Sequence, residues 1–191
     1  MEKVTLGPAT ILYPMPVLLI GADVEGRPNF MTASWGGICC SNPPMISVSF
    51  QPQRNTLKGL RQARTFSVNI PSVAQMKEAD YCGLVSGNDG TDKAAACGFD
   101  VFYGTLKNAP MIAQCPVSLE CTMVITLQLG SHDLIVGEIK EIHASKDVLG
   151  EDGKIDPVKV DPLSFSVPDR TYRRIGEVVG KAFSVGKELK K

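Results

Sequence analysis

The chain has 191 residues, a length that fits one domain with a single hydrophobic core. Hydrophobic residues make up 43% and charged residues 21% of the sequence, a balance that excludes a disordered chain. Because 20 basic residues offset 20 acidic residues, no net charge favours nucleic acid or an anionic membrane surface as a partner.

The first strongly apolar stretch, Val17 to Ala22, is far too short to cross a membrane. A transmembrane helix needs roughly 20 apolar residues. No basic segment directly precedes this stretch, as it would in a secretory signal peptide. We therefore expect a cytoplasmic protein.

The first elements along the chain are predicted strands. Val17 to Val24 is apolar and contains β-branched residues, Glu25 to Pro28 has turn composition, and Asn29 to Ile38 is predicted to return as the partner strand. Met45 to Phe50 alternates apolar and polar residues, which predicts a strand with one buried face.

Helical and loop segments follow. Asn55 is the predicted N-cap of a helix with Leu57 and Leu60 at helical spacing. The next predicted elements are a strand over 65–70, a helix over 73–81, an exposed loop from Ser86 to Lys93 and a helical turn over 94–96.

Two long strands dominate the second half of the chain. Val117 to Leu129 is β-prone, and His132 to His143 is its predicted antiparallel partner after the Gly130-Ser131 break. A turn follows over 150–156, and residues 172–190 have helical spacing with a basic end.

Together these elements predict a mainly β fold, a six-stranded antiparallel Greek-key barrel with helical caps. The strands come in a run, mostly linked as hairpins, and do not alternate regularly with helices. We predict a single domain over 1–191, with the barrel core at about 10–165 and a C-terminal helical tail at about 170–191.

The sequence lacks the motifs of metal sites and of independent catalytic machinery. No CxxC pair accompanies the six cysteines, and the only histidines are His132 and His143, so we expect no metal and mostly buried, free thiols. No GxGxxG motif follows a strand, and no nucleophile motif contains either histidine. The chemistry is therefore expected to come from a bound cofactor.

The segment Asn29 to Trp35 is the most informative one. It holds the only tryptophan beside small and hydroxyl residues, directly before a Gly-Gly pair. Small residues let the backbone approach a planar ligand, and an indole can cover the face of a ring. The alternative is a packed hairpin whose tryptophan belongs to the core.

Together with other short motifs that follow it in a fixed order, this segment resembles the sequences of a known protein family. The sequence resembles the flavin reductase-like, FMN-binding split-barrel family, and within it the flavoredoxin branch. The resemblance is carried by Asn29 to Trp35, Ser41-Asn-Pro-Pro44, Ile46-Ser-Val-Ser49, Arg54-Asn-Thr56, Phe66-Ser-Val-Asn69-Ile70, Ser86-Gly87, Asp92-Lys93, Gly130-Ser-His132, Gly137-Glu138, Asp161-Pro-Leu163-Ser-Phe165 and Tyr172.

The resemblance implies a six-stranded antiparallel split barrel that forms a homodimer and binds FMN near the subunit interface. It assigns the flavin to Asn29, Trp35, Thr56, Lys93, His132 and Phe165, with His132 also as the catalytic candidate. Met31, Thr32, Ala33 and Ser34, in the segment that ends at Trp35, are predicted to contact the flavin as well.

Physical reasons support several of these implied roles. Thr56 lies in the first turn of a predicted helix, where free N–H groups and the helix dipole favour a phosphate. Lys93 would bring a positive charge on an exposed loop, and His132 a donor at a hairpin tip. Trp35 and Phe165 would form apolar walls. Each also has an ordinary alternative: a solvated lysine, a surface histidine and two core aromatic residues.

The function that the resemblance implies is that of an FMN-dependent NAD(P)H oxidoreductase, which passes electrons to a flavin, a ferric complex or a protein. One alternative is a flavoredoxin-type FMN electron carrier reduced by a protein partner, and another is a non-catalytic ligand-binding barrel. Ser131 stands where many reductases of this family carry aspartate, which leaves the use of NADH or NADPH open. The adjacent Cys39 and Cys40 are expected to be passive.

Overall fold

The computed structural model describes residues 1–190 of the chain. Its strands, in chain order, are β1 (Met15–Pro16), β2 (Leu18–Val24), β3 (Arg27–Ala33), β4 (Gly36–Ser41), β5 (Pro44–Phe50), β6 (Thr65–Ile70), β7 (Val101–Phe102), β8 (Met111–Ile112), β9 (Val117–Gln128), β10 (Asp133–Ala144), β11 (Leu163–Ser166) and β12 (Thr171–Arg174). Its α-helices are α1 (Asn55–Ala63), α2 (Met76–Leu84), α3 (Lys93–Ala96) and α4 (Pro157–Val160), and 3-10 helices cover Val73–Gln75, Gly87–Asp89, Lys146–Val148 and Val185–Leu189.

Seven of the strands form one antiparallel sheet, in the order β3-β2-β6-β9-β10-β5-β4. β3 and β4 lie at opposite edges of this sheet, yet only Ser34 and Trp35 separate them in the chain. Neighbouring strands are about 4.8 Å apart, so two residues cannot span an open sheet of this width. The sheet therefore curls until its edges meet, and Ser34 and Trp35 lie at the seam of the resulting split barrel.

Apolar side chains are buried on both faces of β2, as expected for a strand with packing on each side. Leu18, Ile20 and Ala22 contribute to the barrel core, which includes Phe50 and Phe66. Val17, just before the strand, and Leu19 belong instead to a second cluster with α2 and α3, whose members also include Phe30, Ala79, Cys82 and Ala94. α2 and α3 thus cover one outer face of the barrel.

One of the two smaller sheets brings a distant segment next to the barrel seam. β1, β11 and β12 form a three-stranded sheet in which Met15 pairs with Phe165 and Phe165 pairs with Tyr172. β7 and β8 form a separate hairpin. The first of these sheets places Phe165 beside the segment that links β3 and β4.

The mainly β, antiparallel split-barrel class predicted from the sequence is confirmed, but the main sheet has seven strands and not six. The difference arises over 29–38, which was predicted as a single strand. The structure ends β3 at Ala33 and starts β4 at Gly36 on the opposite edge, so one predicted strand is in fact two.

Two local predictions are also wrong. Asn55 is the first residue of α1 and not its N-cap, which is Arg54 without a side-chain cap. The predicted helical tail over about 170–191 is instead the strand β12, a stretch without regular structure and the short 3-10 helix at Val185–Leu189. Three glycines and the β-branched pair Val178-Val179 disfavour a helix there; residue 191 lies outside the described residues.

The six cysteines are all free thiols, as predicted, but only Cys82, Cys115 and Cys121 are buried, whereas Cys40 and Cys97 are half-buried and Cys39 is exposed. Over residues 1–190, we find no helix with the length and apolar character that a membrane crossing requires.

Candidate functional site

A cleft of about 410 Å³ opens at the barrel seam, and we call it the tryptophan cleft. Its size is within the range of small-ligand sites, about 300–1,000 Å³. Residues from β3 and its link to β4, from β5 and the turn after it, from the β9–β10 turn and from β11 line it: Met31, Thr32, Ala33, Ser34, Trp35, Ser49, Gln51, Arg54, His132 and Phe165.

Trp35 and His132 form an aromatic pair in this cleft. Their ring centroids lie 4.7 Å apart with an interplanar angle of 28°, a stacked arrangement. The backbone N–H of Ser49 donates to the carbonyl of Trp35 at 2.8 Å, which extends the β4–β5 ladder up to the tryptophan. Nδ1 of His132 lies 2.9 Å from the hydroxyl oxygen of Ser131. Trp35 is nevertheless 39% exposed, so its ring is not a core side chain.

Phe165 forms another wall of the tryptophan cleft. Its ring packs against Tyr172 with centroids 5.7 Å apart. The Tyr172 hydroxyl in turn donates to Asp80 of α2 at 2.8 Å. Burial, together with this carboxylate, raises the pKa of Tyr172. The phenol therefore stays a donor at neutral pH and holds the Phe165 strand against α2.

The β3 residues of the cleft are fixed by the helices behind them. Met31 and Ala33 are buried, and the Thr32 hydroxyl donates to the carbonyl of Ala79 in α2. The half-buried Ser34 is the last residue before the tryptophan. Small side chains here leave the backbone accessible to a flat ligand.

Arg54 is the most informative of the three cleft residues that the sequence analysis did not assign, the others being Ser49 and Gln51. Nη1 of Arg54 donates to the carbonyl of Gly83 at 3.1 Å, which joins the start of α1 to the end of α2. The helix begins without a side-chain cap and without an acidic residue in its first turn. Its first N–H groups and the guanidinium thus combine into a site that favours an anion.

A second cleft of about 420 Å³ adjoins α1, and we call it the asparagine cleft. Asn29 lines it, and its Nδ2 donates to the hydroxyl oxygen of Thr56 at 2.6 Å, with both side chains buried. Nδ2 of Asn55 donates to the carbonyl of Gly87 at 3.1 Å. Arg54 and Asn55 are adjacent in the chain, and each lines one of the two clefts.

Lys93 is not on an exposed loop, and that prediction is wrong. Its side chain is buried, and Nζ donates to the carbonyls of Phe30 at 3.0 Å and Cys82 at 3.1 Å. Burial lowers its pKa, because an ammonium group loses hydration there. Lys93 therefore lies behind β3, between the strand and α2, and its role towards a cofactor stays a prediction.

The structure thus brings most of the predicted residues together. Asn29 and Thr56 pair at the asparagine cleft, and Lys93 is buried behind the strand that links the two clefts. The predicted residues that share the tryptophan cleft are Met31, Thr32, Ala33, Ser34, Trp35, His132 and Phe165.

Two solved structures with a similar fold carry flavin-related names. A flavoredoxin from Methanosarcina acetivorans superposes with a TM-score of 0.93 at 41% identity, over 99% of this chain and 100% of that protein. An FMN-binding protein from Thermus thermophilus superposes with a TM-score of 0.79 at 26% identity, over 95% and 99% of the two chains.

This chain spans only part of the length of two relatives that share its sequence pattern. The reductase component of a 4-nitrophenol 4-monooxygenase/4-nitrocatechol 2-monooxygenase from Rhodococcus opacus is 30% identical over 128 residues, 67% of this chain and 65% of that protein. A match to an Aeropyrum pernix protein, 29% identical over 140 residues, spans 73% of this chain and only 53% of that relative.

The family model for the flavin reductase-like domain matches residues 10–174, which include both clefts and every predicted site residue. The chain belongs to the flavin reductase-like domain family.

Proposed function

We propose that this protein binds one FMN per chain without a covalent bond and uses it to transfer electrons. The main observation behind the proposal is the tryptophan cleft. The stacked pair of Trp35 and His132, the ring of Phe165 and the basic start of α1 at Arg54 all line it. The FMN-binding relative from Thermus thermophilus supports the choice of ligand.

The residues present suit the two ends of FMN. Trp35 and Phe165 offer apolar surfaces for a planar ring, and the small residues before Trp35 offer accessible backbone groups. The uncapped start of α1 and the guanidinium of Arg54 suit the phosphate. Asn29 and Thr56 would supply polar contacts from the asparagine cleft.

The chemistry that FMN supplies when bound is acceptance of a hydride from NADH or NADPH and release of electrons to a second acceptor. The chain would orient the ring, shield it in part from water and offer a donor through His132. We propose His132 either as a donor to a flavin carbonyl or phosphate, or as the residue that steers the nicotinamide. The name of the Rhodococcus opacus relative, a reductase component, supports this activity.

A second candidate function is that of an FMN electron carrier reduced by a protein partner. The flavoredoxin from Methanosarcina acetivorans, which matches this chain over its full length at 41% identity, supports this candidate. The acceptor of either activity is proposed only by class: a flavin, a ferric complex or a protein. A third candidate, a ligand-binding barrel without redox activity, predicts a colourless protein.

We also propose that the protein is a homodimer. β9 extends past the point where it pairs with β6, so its last residues pair only with β10 and have a free edge. Apolar side chains at this end are exposed, namely Val124, Ile125, Leu127 and Leu129. Exposed apolar residues on a free strand edge are characteristic of association surfaces. The free thiols suit a reducing compartment, so we propose that the dimer works in the cytoplasm.

Anaerobic mixing of the FMN-loaded protein with NADH or NADPH tests the reductase proposal. If the protein is a reductase, the visible flavin absorbance bleaches without any added protein. Absorbance that persists with both nucleotides, but bleaches with dithionite, would contradict the reductase and favour the carrier. A purified protein that takes up no FMN would contradict both.

A further inference from the structure

Cys82 and Cys97 lie in contact at the base of the loop that borders the asparagine cleft. Their sulfur atoms are 3.9 Å apart. Cys82 lies in α2 and is fully buried, whereas Cys97 ends α3 and is only partly buried. A disulfide bond is about 2.05 Å long, so the sulfurs must approach each other by roughly 2 Å to form one.

The local structure permits that approach. α3 is a single turn that ends at Ala96, and Gly98, directly after Cys97, has a φ of 63°, in the left-handed region that suits glycine. A single-turn helix that a glycine follows closely can shift without breaking a long hydrogen-bonded element. Cys82, in contrast, is held by the packing of α2.

The segment between the two thiols contributes much of the asparagine cleft. Its cleft residues are Gly87, Asn88, Gly90, Thr91 and Asp92. The Nζ of Lys93, in the same segment, donates to the carbonyl of Cys82. A bond between the two sulfurs would therefore close a loop whose middle forms one wall of the cleft.

We propose that Cys82 and Cys97 are a modification site, where a reversible disulfide joins α2 to α3 and restrains residues 83–96. The effect on FMN rests on the proposed function, whereas the disulfide itself does not. Because a cross-link removes conformational freedom from the loop that it closes, the oxidised protein releases FMN more slowly than the reduced protein.

The oxidant is a small disulfide, and oxidised glutathione is the probe. The less buried Cys97 loses its proton and attacks one glutathione sulfur, which breaks the glutathione S–S bond and releases one thiolate. Cys82 then loses its proton and attacks the Cys97 sulfur, which expels the second thiolate. The two protons end on the two glutathione thiols, so one disulfide is reduced as the other forms. Burial raises the pKa of both thiols, more strongly that of Cys82; Glu78 also raises the pKa of Cys97, and Lys93 lowers both. Both steps need a thiolate, so the reaction accelerates as pH rises.

Peptide mapping decides whether the bond forms. Trypsin cuts after Lys77, Lys93 and Lys107, which places Cys82 in residues 78–93 and Cys97 in residues 94–107. After treatment of the full chain with oxidised glutathione, alkylation and digestion, we expect these two peptides to be joined and to separate after reduction. Cys97→Ser should abolish the joined peptide, and Cys40→Ser, on the separate strand β4, should keep it.

The proposal is overturned if the exposed Cys39 has reacted while Cys82 and Cys97 remain reduced, or if Cys97 carries glutathione and never joins Cys82. Release of FMN is followed by the rise in flavin fluorescence after dilution, and we expect it to be about threefold slower in the oxidised protein. Equal or faster release would overturn the effect on the loop. If the chain binds no FMN, peptide mapping still decides on the disulfide.

Discussion

Trp35 shows how the function of one side chain can be separated from its contribution to the fold. It is the only tryptophan, it lies at the seam of the barrel, and it remains 39% exposed despite its stacking on His132. A ring with that exposure adds less to the stability of the fold than a buried aromatic residue does. Its main interaction partner is therefore expected to be the ligand.

Replacement of Trp35 by alanine should weaken FMN binding by about tenfold or more, because aromatic stacking contributes about 1–3 kcal/mol. The free energy of unfolding should fall by less than about 1 kcal/mol. Equilibrium FMN titration and urea unfolding measure the two effects. Tyr103→Ala is the control for the FMN titration, since Tyr103 is 38% exposed and lines neither cleft. It also removes a hydrogen bond to Asp23, so its free energy of unfolding should fall more than that of Trp35→Ala. A Trp35→Ala variant that keeps its FMN but melts without cooperativity would make Trp35 a core residue.

Arg54 allows the phosphate end of the ligand to be tested separately. Arg54→Gln should weaken FMN binding by about tenfold, because a charge-assisted hydrogen bond contributes about 1.5 kcal/mol or more. Binding of riboflavin, which has no phosphate, should change little. Lys154→Gln, in the exposed turn after the 3-10 helix at Lys146–Val148, controls for the loss of one positive charge. Equal losses for FMN and riboflavin would place the phosphate elsewhere.

Arg54 and Lys93 show which features of the site could not be predicted from the sequence. The small, hydroxyl and aromatic residues over 29–35 predicted the cleft because they are contiguous in the chain. The contact of Arg54 with Gly83 joins residues 29 positions apart, and that of Lys93 with Phe30 spans 63 positions. A loop rich in glycine and aspartate predicts an exposed lysine. The burial of Lys93 is explained only by its hydrogen bonds to backbone carbonyls, such as that of Phe30, which is far away in the sequence.

At the scale of elements, alternation and β-branched runs predict most of the strands correctly, as in Met45 to Phe50. The break at Ser34-Trp35 could not be predicted, because a strand that changes sheet edges keeps its β-like sequence throughout. The prediction of a C-terminal helix is wrong for two reasons: its first residues pair as β12 with β11, and the glycines and Val178-Val179 beyond them disfavour a helix.

The packing of α1 on β2 gives a prediction about an element. A Cβ on Gly59 would lie 2.0 Å from the backbone oxygen of Asp23, so the helix and the strand must separate to admit it. Gly59→Ala should lower the free energy of unfolding by about 2 kcal/mol, measured by urea denaturation. Gly83→Ala is the matched control in α2, where the nearest atom, in Thr32, is 3.4 Å away. Equal effects of the two changes would contradict this close packing.

The whole molecule has an apolar surface that a monomer would leave in water. Ile125 and Leu127 of β9 are each 48% exposed, on the part of the strand that has a free edge. If this surface is the dimer interface, light scattering should give a molar mass of about twice the chain mass of 20.5 kDa. The double change Ile125→Glu and Leu127→Glu should give a monomer, because a carboxylate is costly to bury.

Leu84→Glu serves as the control for that experiment, because Leu84 is 77% exposed at the end of α2 and belongs to neither strand of the β9–β10 hairpin. It should leave the mass unchanged. A wild-type protein that scatters light as a monomer at every concentration would contradict the proposed homodimer.

The only tryptophan lies in the cleft where we place the flavin, so its fluorescence reports directly on the central claim. Titration of the flavin-free protein with FMN should quench Trp35 emission in a saturable manner, with an end point at one FMN per chain, because a ring in contact with the indole accepts its excitation. FMN that binds at the same stoichiometry while Trp35 emission stays unchanged would contradict the account.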